Sequence, residues 1–153
     1  MPFIINGTEV TPDIDPDATL LAALRGPLGL SGPRFGCGAE QCGACVVLLD
    51  GAPIFACNTP VTAANGKRVE TVEGLGTPDA PHPLQRAFLE LQAGQCGYCL
   101  SGILMASAAL LRRVPRPTEA QVKEALDPHL CRCGAQNRIV RAVLRAAEQG
   151  VAA

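Results

Sequence analysis

In the first half of the chain, apolar positions fall in short runs that alternate or cluster as strands do, whereas in the second half they recur every three or four residues, as on one face of a helix. Phe3-Ile4-Ile5 and Glu9-Val10-Thr11 flank Asn6-Gly7, a dipeptide that tolerates positive φ, so a tight hairpin is expected there. Thr19 to Leu24 reads as a short helix begun by a threonine cap. Val46-Val47-Leu48-Leu49 followed by Asp50-Gly51 predicts a second hairpin leading to Ile54 and Cys57, and a last strand is expected near Val69 to Val72. These pieces make a small mixed sheet.

Between Leu75 and Pro83 the pattern stops, because Gly76, Pro78, Pro81 and Pro83 interrupt helix and strand alike. Residues 77–83 are therefore expected to link a unit over 1–76 to another over 84–153. Leu84, Phe88 and Leu91 share one helical face, as do Ile139, Val140, Val143, Leu144 and Ala147. Ile103 to Arg112 and Thr118 to Leu126 supply two more helices, the second opened by a Thr118/Gln121 capping box after Pro117. The expected fold class is α+β, a ferredoxin-like β-grasp followed by a four-helix bundle.

The chain has 153 residues, enough for one ordinary domain or two small ones, and small units need help from metals, disulfides or partners. With 3% aromatic residues, no Trp and a net charge of -1, it has neither stacking platforms nor a basic face for nucleic acid or anionic lipid. No apolar run reaches the roughly 20 residues that span a bilayer; Ile103 to Leu111 falls short. The start, Met1-Pro2-Phe3-Ile4-Ile5-Asn6, runs into a strand pattern without the features of an export signal, so reduced thiols in a cytoplasmic setting are expected, with export by a signal-bearing partner left open.

Those thiols carry the chemistry. Cys37, Cys42 and Cys45 form C-x4-C-x2-C, with Cys57 further on, the plant-type spacing of a [2Fe-2S] site. Glycines interleave them in Gly36-Cys37-Gly38-Ala39-Glu40-Gln41-Cys42-Gly43-Ala44-Cys45, and a residue without Cβ lets backbone N–H groups approach the sulfurs and stabilise added negative charge. Cys96-Gly97-Tyr98-Cys99 and Cys131-Arg132-Cys133 form a second set of four, each pair preceding a helix whose N-terminus presents partial positive charge. Zinc on either set, a disulfide framework and a thioredoxin-like Cys96/Cys99 pair are the competing readings. His82 and His129 are expected to pack loops and not to ligate, and Glu40, Glu90 and Glu124 to lie on a solvated surface. No nucleophile with a base, phosphate loop or dinucleotide fingerprint is present, Gly74-Leu75-Gly76 being only a fragment of the last.

The order of the two sets resembles that of the iron-sulfur subunits of the molybdenum hydroxylases, the xanthine oxidase family. The resemblance also rests on Leu24-Arg25, Leu28-Gly29-Leu30, Glu73-Gly74-Leu75, Gln95-Cys96-Gly97-Tyr98-Cys99 and Leu130-Cys131-Arg132-Cys133-Gly134. Within the family, His82-Pro83-Leu84-Gln85 and the last cysteine pair are most similar to the small subunits acting on nicotinate and isoquinoline. The resemblance implies two [2Fe-2S] clusters, the first set holding the outer one and Cys96, Cys99, Cys131 and Cys133 the inner one. It implies that Gln95 and Cys133 approach a molybdopterin held by a large partner subunit, where an N-heteroaromatic compound or an aldehyde is hydroxylated. Electrons would leave to a flavin-binding subunit or a cytochrome c; Leu100-Ser101, which departs from the Thr-Pro of many flavin-containing relatives, leans toward the cytochrome. A free-standing ferredoxin-type carrier and a zinc-stabilised interaction module are the rival functions.

Overall fold

A computed structural model describes residues 1–150. Two hairpins start the sheet, β1 (Phe3–Ile5) with β2 (Thr8–Val10) and β3 (Val46–Leu49) with β4 (Ala52–Phe55), and β5 (Arg68–Glu70) joins them in the order β2-β1-β5-β3-β4. The β1–β5 pair is parallel and the others antiparallel, so the sheet is mixed. Both hairpin turns place positive φ at successive residues, Asn6 and Gly7 in one and Asp50 and Gly51 in the other, which matches the right-handed twist of the flanking strands. The last strand ends at Glu70, and Val72 lies in a short 3-10 turn, because Thr71 turns inward to bond Asn6.

Strand β3 explains how the halves meet. Successive side chains of a strand point to opposite faces. Val47 packs with Phe3, Leu20, Leu24, Val61 and Val69 beneath helix α1 (Leu20–Arg25), while Val46 and Leu48 pack with Met105 and Ala106 of helix α3 (Leu100–Arg113). A strand covered on both faces is apolar at every position. Helix α3 is likewise buried nearly all round, from Ser101 to Ala108, since the sheet covers one side and other helices the other.

Helix α2 (Pro83–Glu90) begins at the last proline of the interrupted stretch, where a missing N–H is harmless. The Leu84 N–H donates to His82 Nδ1 and the His82 N–H to Gln85 Oε1, closing a capping box. Helix α4 (Glu119–Leu126) opens with the expected Thr118/Gln121 box, and Thr19 caps α1. Helix α5 (Gln136–Gln149) buries Ile139, Val140, Ala142, Val143, Ala146 and Ala147 against α2 and α4. Leu91, expected on the inner face of α2, follows the helix end and is exposed, as is Leu89.

Candidate iron-sulfur sites

All eight cysteines are free thiols, and they fall in the two sets of four that the sequence spacing marks. In the first, the loop after Pro33 curls around Cys37. Its sulfur accepts from the Ala39 and Gln41 N–H groups, both at 3.3 Å, and the Cys37 N–H points at Cys42 Sγ at 3.4 Å. Those donors bring the exposed Cys37 thiol down to about 7. Gly36 is required here, because a Cβ on it would stand 2.6 Å from Cys42 Sγ. Cys45, at the entry to β3, and Cys57, just past β4, are held deeper; burial, followed by the effects of Cys57 beside it, leaves Cys45 raised to about 12.

The second group is built by helix starts. Cys99 is the residue that opens α3, and burial together with the adjoining Cys131 thiol pushes it up to about 12. Cys131 feels burial most, yet N–H groups of Ala135, Cys133 and Gly134 and the Cys99 thiol outweigh it, so its pKa is lowered. Cys96 is lowered by the Tyr98 N–H and by the Cys133 thiol. Gln95 Nε2 donates to the Cys133 carbonyl at 3.3 Å and Gln136 Nε2 to the Cys131 carbonyl at 3.2 Å, fixing the path of the last cysteine turn. Gln95 also edges an open groove of about 800 Å³ whose apolar walls include Phe88, Leu89 and Leu100.

Within each group the sulfurs meet two by two: Cys37 with Cys42, Cys45 with Cys57, Cys96 with Cys133, and Cys99 with Cys131. The four thiols of each set would hold a [2Fe-2S] cluster in two pairs, and the cluster would supply a one-electron carrier there.

The groups are joined to one another. The Leu130 N–H donates to the Cys42 carbonyl at 3.0 Å, linking the residue before Cys131 to a member of the first group. Gly102, in the first turn of α3, lies against the Gly43 carbonyl so closely that a Cβ there would overlap it. His129 packs on Gly43, and burial lowers its pKa to about 4. Arg34 Nη1 donates to the Gly97 carbonyl at 3.2 Å, and the Tyr98 hydroxyl donates to the Phe35 carbonyl at 2.5 Å. Sequence reasoning passed over Arg34, since a lone arginine before a glycine-rich loop carries no signal of its partners. Both histidines pack or cap, and Glu40, Glu90 and Glu124 are exposed.

A mixed sheet with helices and eight free cysteines fits a [2Fe-2S] electron-carrier class, and sequence comparison agrees. Residues 3–72 match the profile of the 2Fe-2S iron-sulfur cluster binding domain and residues 71–144 that of the [2Fe-2S] binding domain. The chain is 48% identical over 144 residues to a nicotinate dehydrogenase subunit from Pseudomonas putida, covering 94% of this chain and 92% of that one. It is 48% identical over 148 residues to the alpha subunit of isoquinoline 1-oxidoreductase from Brevundimonas diminuta, covering 96% and 97%. In the crystal structure of quinoline 2-oxidoreductase from Pseudomonas putida 86, one chain superposes with a TM-score of 0.93 at 36% identity, over 97% of this chain and 93% of that chain. The chain belongs to the iron-sulfur small subunits of the molybdenum hydroxylases, the xanthine oxidase family.

Proposed function

We propose that this chain is the two-cluster electron relay of a multi-subunit molybdenum hydroxylase. Cys37, Cys42, Cys45 and Cys57 hold the outer cluster, and Cys96, Cys99, Cys131 and Cys133 the inner one. Residues 1–76 and 84–153 are the two cluster-bearing units and 77–83 their connection. When bound, the clusters supply one-electron carriers. The chain's own residues hold the sulfurs, aim N–H groups at them to tune their potential, and keep the two sites at a fixed separation. Gln95 and the Cys133 turn, already bonded to each other, face the molybdopterin of a large partner subunit. A flavin-binding subunit or a cytochrome c accepts the electrons. Substrate chemistry lies in the partner, on an N-heteroaromatic compound or an aldehyde; the names of the nicotinate and isoquinoline relatives favour the first.

The observation that carries this reading is the approach of the thiols in pairs, Cys37 to Cys42, Cys45 to Cys57, Cys96 to Cys133 and Cys99 to Cys131, with the Leu130-to-Cys42 hydrogen bond tying the two sets. Its test is metal and sulfide analysis of the purified complex. Two [2Fe-2S] sites require about four irons and about four acid-labile sulfides per chain, and two distinct paramagnetic signals after reduction. Cys42→Ser should abolish one signal and Cys96→Ser the other. Zinc without sulfide would overturn the reading, and a chain that purifies fully loaded without a large subunit would make it a free-standing carrier.

A further inference from the structure

Arg34 stands where the two thiol sites meet. Its backbone N–H donates to the Ala44 carbonyl at 3.1 Å, inside the first cysteine loop, while its side chain reaches the Gly97 carbonyl, between Cys96 and Cys99. The guanidinium lies over the Tyr98 ring, its carbon 5.1 Å from the centroid, a cation–π geometry. The Tyr98 hydroxyl ties back to Phe35, the next residue after Arg34. The arginine is half-buried, and among the described residues no carboxylate lies within ion-pair distance of it. Withdrawing a cation from water without a counter-ion is unfavourable. Its side-chain contacts, Gly97 and Tyr98, lie between Cys96 and Cys99, which become anionic once metal is loaded.

We propose that Arg34 is a positioning residue shared by both iron-sulfur sites, its charge offsetting the negative charge each site gains on reduction and its hydrogen bonds holding the two cysteine loops in one mutual orientation. This rests on the two-cluster reading above. Each site takes up one electron from the reductant; no bond to Arg34 forms or breaks, and the guanidinium keeps its proton throughout. Because the cation favours the more negative, reduced form, losing it makes reduction harder at both sites. A residue serving only one loop would move only one potential.

The experiment is a mediated dithionite titration of the holo-complex, following both signals by electron paramagnetic resonance, with iron and sulfide measured on the same samples. Arg34→Gln should retain full iron and sulfide and shift both midpoint potentials to more negative values. Arg34→Lys, which restores a charge without the flat stacking face, should hold both above the glutamine variant. Tyr98→Phe keeps the ring and the cation and should leave both in place. Should Arg34→Gln fail to hold iron, Arg34→His takes its place: relative to wild type, both midpoints must fall as pH rises through about 6.5, the ordinary histidine pKa. Full loading with one or neither midpoint moved, a Tyr98→Phe shift as large as that of Arg34→Gln, or a histidine variant indifferent to pH would each overturn the proposal. A wild-type complex lacking sulfide would instead remove the two-cluster reading beneath it.

Discussion

At the scale of single residues, stability around the cysteine loops depends on polar atoms with one correct partner and on glycines with no room beside them. Thr71 is fully buried; its N–H donates to Asn6 Oδ1, its hydroxyl accepts from Asn6 Nδ2 and donates to Glu73 Oε2, and Glu73 Oε1 accepts from Gly32 ahead of the first cysteine loop. Thr71→Val should therefore cost about 0.5–1.5 kcal/mol, since it removes the hydroxyl that accepts from the half-buried Asn6 amide and donates to the exposed Glu73 carboxylate; denaturant titration of the holo-protein measures this, and Thr71→Ser should recover most of it. Gly102→Ala presents the opposite fault. Its new methyl meets backbone that cannot swing aside, and overpacking of this kind costs about 1–3 kcal/mol, although alanine is the better helix former. A melting temperature equal to wild type would show that α3 slides away without loss. The cysteines were legible in sequence because their spacing is itself the chemistry. Arg34, Gly102 and Thr71 were not, because each owes its role to a partner dozens of residues away.

At the scale of elements, local rules carried far. Both hairpin turns, the Thr19 cap and the Thr118/Gln121 box stand where the residue types placed them. What escaped was the end of β5, decided by the distant Asn6, and the capping role of His82, which needs the bend of the preceding segment. His82 makes α2 sensitive to acid. Burial, then the Arg112 and Arg86 guanidiniums, lower its pKa below the ordinary 6.5. The unfolded chain thus binds a proton more readily than the folded one, so the contribution is complete above about 6.5 and is lost as pH falls through the folded value. His129, lowered to about 4, acts in the same direction further down. The melting temperature should drop from pH 7 to pH 5, and His82→Asn, which keeps a capping acceptor, should flatten part of that slope. An unaltered slope would assign the acid sensitivity elsewhere.

At the scale of the whole molecule, two cores and two thiol sites lean on one strand. Leu48→Ala empties a fully buried position between the sheet and α3, and substitutions of this type cost about 2–5 kcal/mol. Hydrogen exchange should register the loss in α3 as well as in β3 and β5; protection lost only within the sheet would mean that the halves open separately. Removing iron should have a related effect. Cys45 and Cys99 are pushed up to about 12 by burial and by neighbouring thiols, so the metal-free chain keeps them protonated and loading releases protons. Chelated protein should show a broader, lower melting transition than the loaded form, and reloading should slow as pH is lowered. The sequence pattern marked a change of character near residue 76. It could not show that the strand following the first cysteine loop supplies packing to both sides of that change.

That shared strand limits how such a carrier can be taken apart or recombined. A ferredoxin that works alone needs one apolar face on its sheet and a wettable one opposite. Here Val46 and Leu48 turn their side chains away from the α1 core, and Met105 and Ala106 are the residues that cover them. Cutting the chain near residue 76 would bare both surfaces, and grafting an unrelated ferredoxin onto the helical half would bring polar side chains against Met105. The two halves are therefore interchangeable parts only when the exchange carries β3 and α3 as one matched pair.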